Sequence, residues 1–216
     1  MAISACVVGA SGLVGRELLA QLCDDAGVAA VHAMLRRSVS KLGTSPKLKQ
    51  HVVDFDNLAA VDWPDCDAMF CCLGTTIKAA GSQPAFRRVD FDYVVQSAKK
   101  ARQAGAKQLY VVSAMGADQH SRIFYNRVKG EMEAAVASLG YDSATIFRPS
   151  FLSGERLEKR QGEGLALSAL KVGNLFLPKK YRSVPAQAVA RTMLLALHQA
   201  SRGVRIVESD VMQENV

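Results

Sequence analysis

Apolar residues follow two rhythms along the chain. Short runs at residues 3–8, 29–35, 48–53, 67–73, 107–113 and 144–147 read as strands, that at 29–35 with the composition of one covered on both faces. Between them, longer stretches place apolar residues three and four positions apart. From Gly12 to Cys23, Leu13, Val14, Leu18, Leu19 and Leu22 share one helical face, and Arg16, Glu17 and Gln21 share the other. A second stretch starts at Pro84, a good first helical residue, and stops near Gly105. A third covers residues 121–139 with Val128, Met132 and Val136 inward, and a fourth runs from Ser183-Val184-Pro185 to about Gln199. Residues 204–207 add an edge strand. Strands alternating with helices of this length predict an α/β chain, a doubly wound parallel sheet in one domain covering residues 1–216.

Gly9-Ala10-Ser11-Gly12-Leu13-Val14-Gly15 joins the first strand to the first helix. Gly9 suits a tight turn, Gly12 lets the backbone approach a diphosphate, and Gly15 lets the helix lie close to the strand. Free N–H groups at the helix start then face the anion. The expected ligand is a dinucleotide held by Gly9, Ser11, Gly12, Leu13, Val14 and Gly15. The spacing is G-x-x-G-x-x-G rather than the commoner G-x-G-x-x-G, so the strand before it and the helix after it carry the assignment.

The end of the second strand is where such folds read the adenosine ribose. An acidic residue there accepts from a free 2′-hydroxyl, whereas arginine accommodates a 2′-phosphate. Arg36 and Arg37 stand at that place with no carboxylate beside them, which favours NADP(H) over NAD(H). Asp54 closes the third strand, where it is placed to accept from the adenine amino group. Leu73, Gly74 and Thr75 follow the fourth strand, where ligands collect in open parallel sheets, and their backbone is expected to border the cofactor's ribose.

Ser113 ends the fifth strand, and Tyr125 and Lys129 lie one turn apart on the helix that follows. Residues at i and i+4 share a helix face, so phenol and ammonium can point into one cleft. Hydride transfer at a carbonyl carbon needs such a set, because the oxygen gains or loses a proton as the hydride moves. Tyr125 is the candidate acid or base, Lys129 the cation that makes a phenol easier to ionise, and Ser113 the group that holds the substrate oxygen.

With these residues in this order, the chain resembles the short-chain dehydrogenase/reductases over nearly its whole length, Tyr125-Asn126-Arg127-Val128-Lys129 standing as the Y-x-x-x-K signature. Val89-Asp90-Phe91-Asp92-Tyr93-Val94, Ser113-Ala114-Met115-Gly116-Ala117-Asp118, Val128-Lys129-Gly130-Glu131 and Phe147-Arg148-Pro149 are most similar to the atypical members. The resemblance implies a Rossmann fold with sheet order 3-2-1-4-5-6-7. It also implies that Lys129 bonds the nicotinamide ribose and that the backbone after Pro149, at Phe151 and Leu152, borders the carboxamide. Many members carry an Asn that supports a proton relay on the helix before the fifth strand, and Asp90 occupies that place here.

Composition narrows the partners. The net charge is +7, but Lys and Arg are spread along the chain with no aromatic-interleaved basic block, so nucleic acid is not expected. Cys6, Cys23, Cys66, Cys71 and Cys72 match no metal-ligand spacing and read as core filler in a reducing compartment. No apolar run is long enough to span a bilayer and no leader precedes the first strand, from which a cytoplasmic location is expected. His32 reads as a strand histidine without chemistry.

Residues 150–184 differ in character, with Gly154, Gly162, Gly164 and a charged run at 155–160, and are read as a substrate lid containing a short helix at 165–172. Arg156, Lys159, Arg160, Lys179, Lys180 and Arg182 there are read as solvated charge able to attract an anionic substrate. The tail at 209–216 is expected to dock on a neighbour or fray. A homodimer through the helices at 84–104 and 120–139 stays open, although their outer faces are not conspicuously apolar.

The leading reading is an NADP(H)-dependent oxidoreductase acting on a small carbonyl or alcohol. A nucleotide-binding regulator without turnover and an epimerase using the same Ser, Tyr and Lys remain beside it. The stretch from Gly9 to Leu19 also resembles the opening of semialdehyde dehydrogenases, but those need a nucleophilic cysteine on a large second domain, and no cysteine lies beyond Cys72.

Overall fold

Each buried run becomes a strand and each amphipathic stretch a helix against it. The computed structural model describes residues 2–40, 42–154 and 178–215. In chain order the first half holds β1 (Ile3–Val8), α1 (Leu13–Asp24), β2 (Val28–Leu35), β3 (Leu48–Val52), β4 (Ala68–Cys71), α2 (Ile77–Ala80), α3 (Gln83–Arg87) and α4 (Tyr93–Gln103). The second half holds β5 (Gln108–Val112), α5 (Phe124–Ala137), β6 (Ser143–Arg148), β7 (Leu152–Ser153), β8 (Val184–Pro185), α6 (Ala186–Gln199), β9 (Gly203–Glu208) and α7 (Ser209–Gln213).

Seven parallel strands pair in the order β3-β2-β1-β4-β5-β6-β9, the order that the resemblance implies. On one face α1 and α6 pack together over Phe70, Tyr110 and Phe147. On the other, α4 and α5 cover Met69, Leu109 and Ile146. Phe70 and Tyr110 stack with ring centroids 4.7 Å apart, and the buried Tyr110 hydroxyl donates to Gln108 Oε1 at 2.7 Å, so this large side chain enters the core without an unmet polar group.

Three elements depart from the sequence reading. The helix expected from Pro84 to Gly105 is broken by a π-helical turn at Arg88–Asp92, and the preceding loop contains α2, capped by the Thr76 hydroxyl. Most of the tail is ordered against its own chain. It forms α7 on its own chain, with Met212 buried, Gln213 Nε2 donating to the carbonyls of Lys179 and Arg182, and Asn215 Nδ2 donating to Thr192 Oγ1. The ends of the region read as a lid pair in parallel, β7 with β8, in a small sheet of their own. The helix expected at 165–172, and Arg156, Lys159 and Arg160, lie outside the described residues.

His32 does have a partner. Its Nδ1 lies 2.9 Å from His51 Nε2 across the β2–β3 edge, with ring centroids 5.1 Å apart. Partial burial, the neighbouring imidazole and Lys49 together hold His32 below the usual histidine range; burial and Lys49 do the same for His51. Groups depressed in the folded state bind fewer protons there than in the unfolded chain, so their stability contribution is complete above about pH 6.5 and is lost as the pH falls. Between about pH 7.5 and 5.5 the melting temperature should drop further than that of His51→Gln, as calorimetry at both pH values would measure.

Candidate functional site

The turn after β1 is built by close backbone contact. Gly9 has φ +80°, and a Cβ there would stand 2.6 Å from the Cys72 carbonyl carbon. The Gly12 N–H donates to the Gly9 carbonyl at 2.9 Å, and a Cβ on Gly15 would come within 2.1 Å of that same oxygen. Leu13, Val14 and Gly15 are buried in the first turn of α1, with Ser11 exposed at its tip. That turn holds no acidic residue and no side-chain cap, so the helix start offers backbone N–H groups to an anion. A dinucleotide's diphosphate fits this cradle.

Arg36 and Arg37 follow β2 and are both exposed. Near them lies a group that sequence reasoning did not single out: the Tyr93 hydroxyl donates to Asp56 Oδ1 at 2.7 Å, with Arg88 3.9 Å from the same oxygen. Partial burial and Asp56 push the Tyr93 phenol up, while Arg88 and Arg36 oppose this, which puts Arg36 within electrostatic reach of the ring. Asp54 caps the short turn that follows β3, its Oδ1 accepting from the Asp56 N–H at 2.9 Å.

At the end of β4, Leu73 is half-buried and Gly74 exposed, and the Thr75 N–H donates to Asp90 Oδ2 at 2.9 Å. The other oxygen of Asp90 lies 2.7 Å from Lys129 Nζ, and both side chains are almost fully buried, at 0% and 3% exposure. Burial pushes the Lys129 ammonium down, but Asp90 and Tyr125 more than offset it and hold the group above its ordinary value, hence charged. A Cβ on Gly74 would stand 3.6 Å from Asp90 Oδ1 and 4.0 Å from Lys129 Nζ, so the pair sits directly under the backbone expected to border the ribose.

Tyr125 is half-buried, its ring against Phe86 with centroids 5.4 Å apart. Ser113 is buried, and among the described residues its Oγ has no hydrogen-bond partner, although its N–H donates to the Phe147 carbonyl at 2.7 Å. The Pro149 carbonyl accepts from Met115, and the Phe151 carbonyl from Val184 at the base of Leu152's short strand. The Phe151 side chain itself is 65% exposed.

Two contacts fix the helix that carries Tyr125 and Lys129. Gly130 lies so close to the preceding loop that a Cβ would be 2.1 Å from the Gln119 nitrogen. Arg148, at the end of β6, donates from Nε to Glu133 Oε1 at 3.0 Å and from a second nitrogen to Oε2 at 2.5 Å. The five cysteines are free thiols, burial pushes Cys71 up to about 11, and the described residues contain no cluster suited to a metal ion.

A family model described as NAD(P)H-binding matches residues 9–200. The chain belongs to that family. Protein HTATIP2 of Rattus norvegicus is 39% identical over 194 residues, which cover 87% of this chain and 78% of the relative. Protein FMP52, mitochondrial, of Eremothecium gossypii is 31% identical over 99% of both chains. Among solved structures, MoeE5 in complex with UDP-glucuronic acid and NAD superposes with a TM-score of 0.73 at 18% identity, over 95% of this chain and 76% of that one. The ADP-L-glycero-D-manno-heptose-6-epimerase of Helicobacter pylori does so with 0.74 at 15% identity, over 96% and 77%. The fold is that of the short-chain dehydrogenase/reductases.

These relatives correct one expectation. The fungal proteins are named mitochondrial, which overturns the cytoplasmic reading. Reduced cysteines do not separate one reducing compartment from another. Among the described residues no helix is long and apolar enough to cross a membrane.

Removing one partner from a buried ion pair leaves the other charge uncompensated. Lys129→Met, which strands the Asp90 carboxylate, should therefore lower the unfolding free energy by about 3–5 kcal/mol in urea titrations.

Proposed function

We propose that this protein is an NADP(H)-dependent oxidoreductase acting on a small carbonyl or alcohol substrate. The observation that carries the reading is the buried Lys129, held charged one helical turn from Tyr125 at the end of β4. Its pairing with Asp90 offsets the cost of burying the ammonium, and beside a phenol it supports proton exchange. The unpartnered Ser113 hydroxyl supplies a donor for a substrate oxygen.

The nicotinamide ring, when bound, supplies or accepts the hydride. In the reductive direction Tyr125 gives its phenolic proton to the substrate oxygen, Ser113 holds that oxygen by a hydrogen bond, and Lys129 stabilises the phenolate left behind. The oxidative direction reverses each of these. An ammonium has three N–H groups, so Lys129 can face Asp90 and the ribose hydroxyls together. Gly9, Ser11, Gly12, Leu13, Val14 and Gly15 hold the diphosphate, Asp54, Leu73, Gly74 and Thr75 border the adenine and ribose, and Pro149, Phe151 and Leu152 lie by the carboxamide. Residues 150–184 select the substrate. Epimerisation would employ the same Ser113, Tyr125 and Lys129, and product analysis separates it from net oxidation or reduction.

The preference for NADP(H) rests on Arg36 and Arg37, exposed at the place where a 2′-phosphate would lie. Loss of one charge-assisted bond should raise the Kd for NADPH about 10- to 100-fold in Arg36→Ala and leave that for NADH within about twofold, read by nicotinamide fluorescence. Equal weakening of both nucleotides would remove the phosphate reading. With a substrate found by screening carbonyl compounds against NADPH consumption, Tyr125→Phe should lower kcat/KM by about 10²–10⁴-fold without changing NADPH affinity.

A further inference from the structure

The carboxylate of Asp90 reaches the site because the helix carrying it is not regular. Between α3 and α4 the chain makes one π-helical turn, Arg88–Asp92, in which Arg88 is exposed and Asp90 fully buried. Such turns insert an extra residue at a local cost and recur at functional sites. Both oxygens of Asp90 are engaged, Oδ1 by Lys129 Nζ at 2.7 Å and Oδ2 by the Thr75 N–H at 2.9 Å. The carboxylate thereby ties Lys129 to the backbone at the end of β4.

We propose that Asp90 is a positioning residue that sets the pH at which Tyr125 exchanges its proton, by fixing Lys129 and offsetting its charge. The inference rests on the reading of Tyr125 as the acid or base. An ammonium alone favours the phenolate, and a carboxylate against that ammonium opposes it, so the phenol responds to a pair whose net charge is zero. Among the described residues, three other groups lie against the pair. Cys71, from β4, is a thiol that burial keeps protonated at neutral pH, Thr75 contributes a backbone N–H, and the Tyr125 ring rests on the apolar face of Phe86. The consequence is a Lys129 that is rigid without being strongly activating, and proton exchange displaced to higher pH than a lone lysine would give.

The test is a spectrophotometric titration of the phenol, which needs neither nucleotide nor substrate. The chain has five tyrosines, and subtracting the titration of Tyr125→Phe from that of the parent isolates Tyr125. The same difference is then taken in Asp90→Asn. With the carboxylate removed and the ammonium kept, the Tyr125 midpoint should fall by about one pH unit or more. An unchanged or raised midpoint overturns the proposal. Should Asp90→Asn fail to fold, Asp90→Asn/Lys129→Gln decides the matter, because it removes both charges and keeps a polar pair. Its midpoint should match that of the parent; a midpoint raised by about one unit means that the ammonium acts unopposed in the parent, and the proposal falls. A parallel NADPH titration of the parent reports on the cofactor reading separately, so loss of one does not imply loss of the other.

Discussion

Two helices in this protein are held so close to their neighbours that no side chain fits between. The missing Cβ of Gly15 brings α1 onto the Gly9 carbonyl, and that of Gly130 brings α5 onto the loop at Asp118 and Gln119. In each case the atom a side chain would need is within 2.1 Å of backbone, so the contact cannot be relaxed by rotating a neighbour. These contacts fix the two halves of the site. One aims the start of α1 across the end of the sheet, and the other sets the height of Tyr125 and Lys129 above β4 and β5.

Charge is arranged in the same spirit. Ion pairs buried within a fold are retained when they specify an arrangement, since burial itself opposes them. Here Lys129 on α5 meets Asp90 of the π-helical turn beneath Gly74, and Arg148 ties the α5 residue Glu133 to the end of β6 and also reaches Glu208 on β9 at 3.3 Å. The helix carrying the candidate chemistry is therefore clamped at two places along its length by groups from two different elements. The rest of its buried face, Val128, Met132 and Val136, supplies affinity for the sheet without fixing the angle.

Most of this architecture is legible from periodicity, because strands buried on both faces and one-sided helices leave distinct patterns, and the glycine turn sits between a readable pair of them. The same patterning conceals the π-helical turn. Phe86, Val94 and Val95 keep an inward rhythm around it, and Asp90 stands out only through the resemblance, at the place of the relay Asn. Only the fold reveals that its partner is Lys129, 39 positions later in the sequence. The pairing of Tyr93 with Asp56 beside Arg36 escaped for a similar reason, since three residues distant in sequence meet only when β2, the turn after β3 and α4 are assembled. His32 and His51 could have been suspected from two histidines on adjacent strands, but their facing requires the register, which places His51 opposite Met34, two residues along from His32.

The pairing of β7 with β8 has a further consequence for how such a chain diversifies. Leu152 pairs with Val184 and Ser153 with Pro185, so the strand end at Pro149 and the start of α6 are pinched together independently of what the intervening chain does. Closing a loop costs little more as it lengthens, about 0.6 kcal/mol for each doubling. The stretch between these two strands is thus an interchangeable cassette. It can be lengthened, shortened or rewritten while the nucleotide cradle before it, and the α6 helix behind it on which α1 rests, are inherited unchanged.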